Sequence, residues 1–179
     1  FWSDLQERLD EVKQKPLPYH YQQPELWWKS LHKAQDSDFE IPIGTGVSET
    51  DFTKIFKAIM SWPSDFKPLK KVEKIIQEKV RLFETDQKLD WASAELMAYG
   101  SLLLEGNDVR ISGQDVRRGT FSHRHAVLRD EVTDESYSRL GRIPGATGMF
   151  RIYNSLLSEY GVLGFEYGYA LANPHALVI

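Results

Sequence analysis

Cysteine is absent from this chain of 179 residues, and its absence excludes several kinds of chemistry. Without a thiol there is no disulfide scaffold, no cysteine nucleophile and no cysteine-ligated zinc or iron–sulfur centre. No apolar run approaches the roughly 18 residues of a membrane-spanning helix, so we expect no membrane insertion. The 22 basic and 26 acidic side chains leave a net charge of −4, so we expect no nucleic-acid partner.

Apolar and aromatic side chains, by contrast, are plentiful. Hydrophobic residues make up 41% of the chain and aromatic residues 12%, which favours a folded core over disorder. The chain begins at Phe1 and ends on the apolar run Ala176-Leu177-Val178-Ile179, which has the composition of a buried strand. Because termini usually lie exposed at the surface, we expect this chain to be a piece of a longer protein.

Residues 1–88 are predicted to form helices and connecting segments. Ser3 is placed to cap a helix, with Gln6 completing a capping box. The run Lys15-Pro16-Leu17-Pro18 is expected to end that helix. The segment 24–46 is expected to be irregular, with a turn rich in proline and glycine near its end.

Two further helices are predicted before residue 88. The run Ser48-Glu49-Thr50-Asp51 is a strong helix start, and Trp62-Pro63 follows the apolar stripe of that helix. A second amphipathic helix is expected after Pro68. We interpret the apolar stripes of this half of the chain as packing surfaces, because no part of it resembles a reaction centre.

The pattern changes near Asp90, which is a good N-cap for an apolar helix over residues 91–105. Residues 109–112 and 149–153 have the composition of short strands, and a loop and a helix follow the second of them. This alternation is typical of an α/β domain with a parallel sheet. Ligands bind beyond the carboxyl ends of such strands, so the loop after Ser112 is a candidate site.

The loop over residues 113–125 is the densest polar cluster, with three Arg, two His and one Asp. It either positions an anionic substrate or cofactor with His for proton transfer, or it is a solvated loop whose Asp and Arg pair. His123-Arg124-His125 has no clear third ligand nearby, so we expect no metal site. A nucleic-acid patch is disfavoured by the acidic residues that follow, Glu131, Asp134 and Glu135.

A second constellation lies over residues 155–168. Gly161, Gly164 and Gly168 share one face of the predicted helix, where another backbone could approach closely, either at a subunit interface or in a core. Glu159 in the first turn either complements the helix dipole or is a buried carboxylate that hydrogen-bonds a nitrogen heterocycle. The pattern by itself does not choose between these roles.

Three long motifs, in this order, resemble the thiamine-diphosphate-dependent first component of 2-oxoglutarate dehydrogenase complexes. They are DWASAELMAYGSLL at 90–103, VRISGQDVRRGTFSHRHAV at 109–127 and LSEYGVLGFEYG at 157–168. The resemblance implies an α/β fold in which a helical linker region, residues 1–88, precedes residues 89–179. The latter would be the first part of a parallel-sheet, transketolase-like pyrimidine-binding domain, truncated at its end.

The resemblance also implies roles for single residues. The family's activating glutamate aligns with Glu159, whose carboxylate would hydrogen-bond the pyrimidine ring of thiamine diphosphate. Leu157 would contact the same cofactor. His125 would be the catalytic histidine of the active-site loop, since the family motif requires histidine only at that position. The other candidates in the loop are Gln114, Asp115, Arg118, Thr120 and His123.

The same resemblance implies the setting in which these residues work. The cofactor would be thiamine diphosphate with Mg²⁺, the substrate 2-oxoglutarate, and the partners a second subunit in a homodimer and a lipoyl-bearing succinyltransferase of the tricarboxylic acid cycle. The family's Gly-Asp-Gly signature for diphosphate and Mg²⁺ is absent from this chain, so we expect the isolated chain to be inactive. The location would be cytoplasmic in a bacterium and the mitochondrial matrix in a eukaryote.

An alternative from a different class remains open at this point. The chain could be a stand-alone interaction or dimerisation module that keeps a pyrimidine-domain surface but has no catalytic role. In that case the face formed by Gly161, Gly164 and Gly168 would bind a partner.

Overall fold

The structure is a computed structural model that describes residues 1–15, 18–20 and 22–179. It divides into two compact units, Phe1–Ala34 and Gln35–Ile179. Segment 35–88, which was predicted as part of a linker, therefore belongs to the same compact unit as the α/β part of the chain.

The first unit contains α1 (Trp2–Gln14) and α2 (Gln23–Trp28). The predicted cap at Ser3 is wrong, because the N-cap position is Phe1, two residues earlier, and no side chain caps the helix there. Of the predicted helix stop, residues 16 and 17 lie outside the described residues.

The segment expected to be irregular contains two short helical elements, α2 and a 3-10 helix over Asp36–Phe39. A capping box forms between Gln22 and Glu25, whose carboxylate accepts a 2.9 Å hydrogen bond from the Gln22 backbone. Local capping boxes stabilise both elements. Neither element was predicted, because neither is long enough to show the apolar periodicity of a helix.

The second unit combines the 3-10 helix with four α-helices and five strands. The helices are α3 (Glu49–Ile59), α4 (Lys70–Asp86), α5 (Trp91–Leu104) and α6 (Glu159–Ala172). The strands are β1 (Asp108–Gly113), β2 (Val127–Arg129), β3 (Ser136–Ser138), β4 (Phe150–Asn154) and β5 (Ala176–Val178). β4, β1 and β5 form a parallel sheet in that order, and β2 and β3 form a separate antiparallel pair.

Local signals explain where the main helices begin. The Ser48 hydroxyl accepts a 3.1 Å hydrogen bond from the Asp51 backbone, and the Asp90 carboxylate accepts one of 2.9 Å from the Ser93 backbone. These contacts confirm the helix starts predicted at both positions. Gly106 follows α5 with a φ of +87°, a conformation that glycine adopts without strain.

One apolar core joins the helices to the sheet. Ile55 and Ile59 of α3 and Leu96 of α5 are fully buried in it, together with Val109 and Ile111 of β1. The alternate residues of β1 point to the opposite side of the sheet, towards α6. The parallel sheet and the helices around it agree with the predicted α/β fold.

The β2–β3 hairpin, which the sequence did not predict, is tied to the rest of the unit by Asp130. Its carboxylate accepts hydrogen bonds from the backbone of Lys67 at 2.6 Å, Val132 at 2.8 Å and Thr133 at 2.9 Å. Led by the bond from Lys67, these contacts lower the pKa of Asp130 to about 2.

We expect Asp130→Asn to lower the urea midpoint of unfolding at pH 7, because the charged acceptor of three backbone N–H groups is lost. The pKa of Asp130 is lower in the folded protein than its ordinary value of 3.8, so the charged carboxylate stabilises the fold fully above pH 3.8. This stabilisation declines as the pH falls towards about 2. The gap between the wild type and the variant should therefore be smaller at pH 3 than at pH 7. Asp65→Asn, an exposed aspartate, is the control. An equal gap at both pH values would contradict this role.

Candidate active site

The carboxyl ends of β1 and β4 lie side by side, with Gly113 opposite Asn154 in the sheet register. The Ser155 backbone donates a 2.9 Å hydrogen bond to the Gly113 carbonyl, so the loop after β4 leaves the sheet beside β1. A pocket of about 290 Å³ opens at this edge. Its lining comes mainly from the end of β1, the loop before α6 and the first two turns of α6. Ligands of parallel sheets bind beyond the carboxyl ends of the strands, so the pocket lies where a ligand is expected.

The pocket brings together three of the predicted site residues, Gln114, Leu157 and Glu159. Glu159 is the first residue of α6 and lies exposed at the pocket. Leu157 is 80% exposed, so an apolar surface is available beside the carboxylate. The remaining apolar lining comes from Leu156, Val162, Leu163 and Ile179.

The polar loop is held by one internal ion pair and is anchored to other elements through Arg117 and Arg124. Asp115 and Arg118 pair within the loop, with 2.9 Å between Arg118 Nε and Asp115 Oδ2. The Arg117 backbone donates to Asn154 Oδ1 at 3.0 Å. Arg124 pairs with Glu95 of α5, and the Nη2–Oε2 distance is 3.1 Å. The Asp–Arg pairing considered from the sequence is thus present, and it holds the loop in a defined shape.

His125 is buried inside this loop, with 6% of its surface exposed. Its Nε2 lies 3.0 Å from the carbonyl oxygen and 3.1 Å from the hydroxyl of Ser122. Burial lowers the pKa of His125, and the positive charges of Arg139, Lys79 and Arg118 act in the same direction. The ring is therefore neutral at pH 7 in this arrangement.

His123 lies apart from the pocket that Glu159 lines. It borders another cavity, of about 310 Å³, together with Lys79 and Asp90. A Cβ added to Gly119, whose φ is +82°, would come within 2.8 Å of His123 Nδ1, so glycine is needed there. Thr120 is exposed on the same loop.

Arg139 is a functional candidate that the sequence did not single out. Its buried guanidinium donates to the carbonyl oxygens of Ile59 and His125, the latter at 3.3 Å. Arg139 thereby connects the end of α3 to the polar loop. Burial lowers the pKa of Arg139 to about 10, which leaves it charged at pH 7. No sequence signal links Arg139 to the loop, because the contact depends on tertiary packing.

Glu166 and Arg110 form an ion pair that sequence reasoning also missed. Arg110 Nε lies 3.0 and 2.8 Å from the two carboxylate oxygens of Glu166, and the Ser112 hydroxyl donates to Glu166 Oε1 at 2.7 Å. Burial tends to raise the pKa of Glu166, but the hydrogen bonds from Arg110 and Ser112 outweigh it and lower the pKa. The sequence signal for this pair was a carboxylate, that of Glu166, within an otherwise apolar helix.

Across the described ranges, no group of three or more acidic or histidine side chains is placed to hold a metal ion. In the same part of the chain, no helix combines the length and apolar character needed to cross a membrane.

Comparison with known proteins gives a consistent picture. Residues 87–179 match the family model described as transketolase, pyrimidine binding domain. The chain is 44% identical over 167 residues to the mitochondrial 2-oxoglutarate dehydrogenase of Dictyostelium discoideum, covering 89% of this chain and 16% of that relative.

Two other relatives give similar values. The mitochondrial 2-oxoglutarate dehydrogenase of Saccharomyces cerevisiae is 44% identical over 75% of this chain and 13% of its own length. The 2-oxoglutarate dehydrogenase E1 component of Bacillus mycoides is 45% identical over 77% of this chain and 14% of its own length. The chain thus spans less than a fifth of these relatives, and the resemblance predicted from the three motifs is confirmed. The chain belongs to the transketolase pyrimidine-binding domain family.

Proposed function

We propose that this chain forms the pyrimidine-binding side of the active site in the first component of a 2-oxoglutarate dehydrogenase complex. The observation that carries the proposal is the position of Glu159, a carboxylate at the start of α6 facing an apolar pocket beyond the ends of β1 and β4. The similarity to 2-oxoglutarate dehydrogenases over most of the chain supports the same function.

The residues of the pocket fit the pyrimidine ring of thiamine diphosphate. A flat heterocycle needs apolar walls, which Leu156, Leu157 and Val162 supply, and a hydrogen-bond partner for its ring nitrogen, which Glu159 supplies. When bound, the cofactor supplies the carbanion chemistry of decarboxylation. Glu159 would hold the ring through its nitrogen and select the tautomer, while the leucines exclude water and strengthen that hydrogen bond.

The loop beside the pocket is assigned to substrate handling. We place Gln114, Asp115, Arg118, Thr120 and His123 in this loop and assign proton transfer to His125. In the neutral ring, Nε2 carries the hydrogen that the Ser122 carbonyl accepts, so Nδ1 is the nitrogen that can accept a proton. Gln114 is the loop residue that lines the same pocket as Glu159.

The remaining parts of the reaction would come from outside this chain. We propose a homodimer in which the diphosphate and Mg²⁺ are held by another domain, and a lipoyl arm of the succinyltransferase that accepts the succinyl group. The exposed face of α6 supports such an interface, since a Cβ added to Gly164 or Gly168 would meet no atom within 4 Å. The boundary between residues 88 and 89 remains a proposal. So does the location, the mitochondrial matrix in a eukaryote or the cytoplasm in a bacterium.

The full-length protein that contains this chain is expected to release carbon dioxide from 2-oxoglutarate when thiamine diphosphate and Mg²⁺ are present. The isolated chain of 179 residues is expected to be inactive under the same conditions. Pyruvate serves as the control substrate, and we expect much slower turnover with it. Full-length protein without activity on any 2-oxoacid would overturn the proposed function, and activity of the isolated chain would overturn the need for a second domain.

The second candidate is a partner-binding module without catalysis. It is favoured by the large apolar side chains that α6 exposes, with Leu163 at 70% and Tyr167 at 67% exposure. In that case the full-length protein would form stable assemblies but would not turn over 2-oxoglutarate. The decarboxylation assay therefore separates the two candidates.

A further inference from the structure

Helix α6 is held against the sheet by very few buried groups. Of its fourteen residues, all of which the structure describes, Glu166 is the one that is buried. Val162 and Tyr169 are half-buried on the same side, whereas Leu163, which borders the pocket, and Tyr167 are exposed. Apolar contacts are non-directional, so these few contacts constrain the rotation of α6 about its own axis only weakly.

The polar contacts of Glu166 are directional and reach the strand that leads into the pocket. Both carboxylate oxygens bind Arg110 Nε, at 3.0 and 2.8 Å, and one of them accepts the Ser112 hydroxyl at 2.7 Å. Charge-assisted hydrogen bonds of this kind are roughly twice as strong as neutral ones. They connect the middle of α6 to two alternate residues of β1.

Arg110 is itself held in one position by aromatic rings. Its guanidinium lies 4.8 Å from the ring centroid of Tyr153 on β4, 5.2 Å from Phe165 and 4.6 Å from Tyr169. The side chain is 12% exposed, so it has little freedom to move away from Glu166. Tyr153 holds Arg110 from the sheet, whereas Phe165 and Tyr169 belong to α6, so Arg110 joins α6 to β1 through these rings as well as through Glu166.

Glu159 and Glu166 lie on the same face of α6. Seven residues are close to two helical turns, so their side chains project in directions that differ by only about 20° and start about 10 Å apart along the axis. Glu159, Glu166 and Ser112 all line the pocket. Rotation of α6 by about 20° would move a carboxylate at the helix surface by roughly 2 Å. A misplacement of about 1 Å can cost an enzyme roughly 100-fold in rate.

Resting on the proposed function, we propose that Glu166, Arg110 and Ser112 form a positioning latch that fixes the rotation of α6 and thereby directs Glu159 into the pocket. These three residues do not contact the reacting atoms, and the latch acts only through the position of Glu159. Ser112 is followed in the chain by Gly113 and Gln114, which line the same pocket.

The competing explanation is an ion pair that merely contributes to folding. The pair of Arg151 with Asp108 is a matched control, because it also involves β1, has a 2.8 Å contact and is partly buried. It lies at the opposite end of β1 from the pocket. A general loss of stability would affect both pairs alike, whereas a latch would affect catalysis only through Glu166.

The test uses the full-length protein with Glu166→Gln, Ser112→Ala, Asp108→Asn and Glu159→Gln. For Glu166→Gln we expect kcat to fall by about 10- to 100-fold while KM for 2-oxoglutarate stays within about twofold. For Ser112→Ala we expect a smaller fall of about threefold or more, and for Asp108→Asn less than about twofold. Without cofactor, amide hydrogen exchange at residues 163–169, whose N–H groups are bonded within α6, should be faster in Glu166→Gln and unchanged across α5.

Wild-type kcat and exchange in Glu166→Gln would overturn the latch, and so would an equal loss of kcat in Asp108→Asn. If Glu166→Gln does not fold, Ser112→Ala decides, because it removes one hydrogen bond and leaves the ion pair in place. Full turnover in Glu159→Gln would instead overturn the proposed function. The exchange rates of cofactor-free protein would still report whether Glu166 holds α6, so the two failures are distinguishable.

Discussion

Glu159→Gln is expected to reduce kcat of the full-length protein by about 100-fold or more, the range typical for loss of a group that controls proton transfer. The substitution keeps the size of the side chain but removes the carboxylate that would hold the pyrimidine nitrogen. Because Glu159 is exposed at the start of α6, the substitution should remove only its interaction with the helix dipole. The free energy of unfolding should therefore fall by about 0.3–1 kcal/mol. Steady-state kinetics with a thermal melt of each variant measure the two effects separately.

The chain contains a closely matched control at Glu49. Both glutamates are the first residue of their helix and follow a serine, Ser48 before α3 and Ser158 before α6. Glu49→Gln should therefore change stability by a similar small amount and leave kcat unchanged. Near-normal turnover in Glu159→Gln, or an equal loss in Glu49→Gln, would contradict the role given to Glu159.

The second large effect is on stability, and it is expected at Gly148. A Cβ there would collide with the carbonyl oxygen of Asn107 and would lie 2.8 Å from its carbonyl carbon and 3.1 Å from Leu103 Cα. All three atoms belong to the backbone, and the Gly148 amide already donates to the Leu103 carbonyl at 3.0 Å. Since no flexible side chain can yield, we expect Gly148→Ala to cost about 3 kcal/mol or more.

Gly164→Ala is the opposite case within the same chain. Gly164 lies inside α6 with open space around its Cβ position, so alanine should stabilise the helix by about 0.5–1 kcal/mol. Urea unfolding of both variants of the 179-residue chain measures the difference. Stability of Gly148→Ala within about 1 kcal/mol of the wild type would show that the contact with Asn107 is not a constraint.

The elements that the sequence predicted are those with local signals. Ser48 and Asp90 cap their helices through hydrogen bonds to a residue three positions later, so the contact is visible in the sequence itself. The three-residue strands β2 and β3 gave no such signal, because their alternation is too short to distinguish from a loop. The error at Ser3 arose because α1 extends to Trp2 without a capping side chain.

The same difference between local and long-range contacts decides which parts of the candidate site could be predicted. Gln114, Leu157 and Glu159 share a pocket because the ends of neighbouring parallel strands meet at one edge, which sequence reasoning can anticipate. The pairing of Arg110 with Glu166 joins residues 56 positions apart, and the buried Arg139 joins His125 to Ile59, which lies 80 positions before Arg139. Such contacts follow from tertiary packing, which a single sequence does not specify.

The role proposed for Glu159 is to bind the pyrimidine ring of thiamine diphosphate. The most direct measurement is a structure of the full-length protein with thiamine diphosphate and Mg²⁺ bound. We expect a Glu159 carboxylate oxygen within about 3.2 Å of a ring nitrogen, with Leu157 against the ring. A bound cofactor whose pyrimidine ring lies beyond hydrogen-bond reach of Glu159 would contradict it.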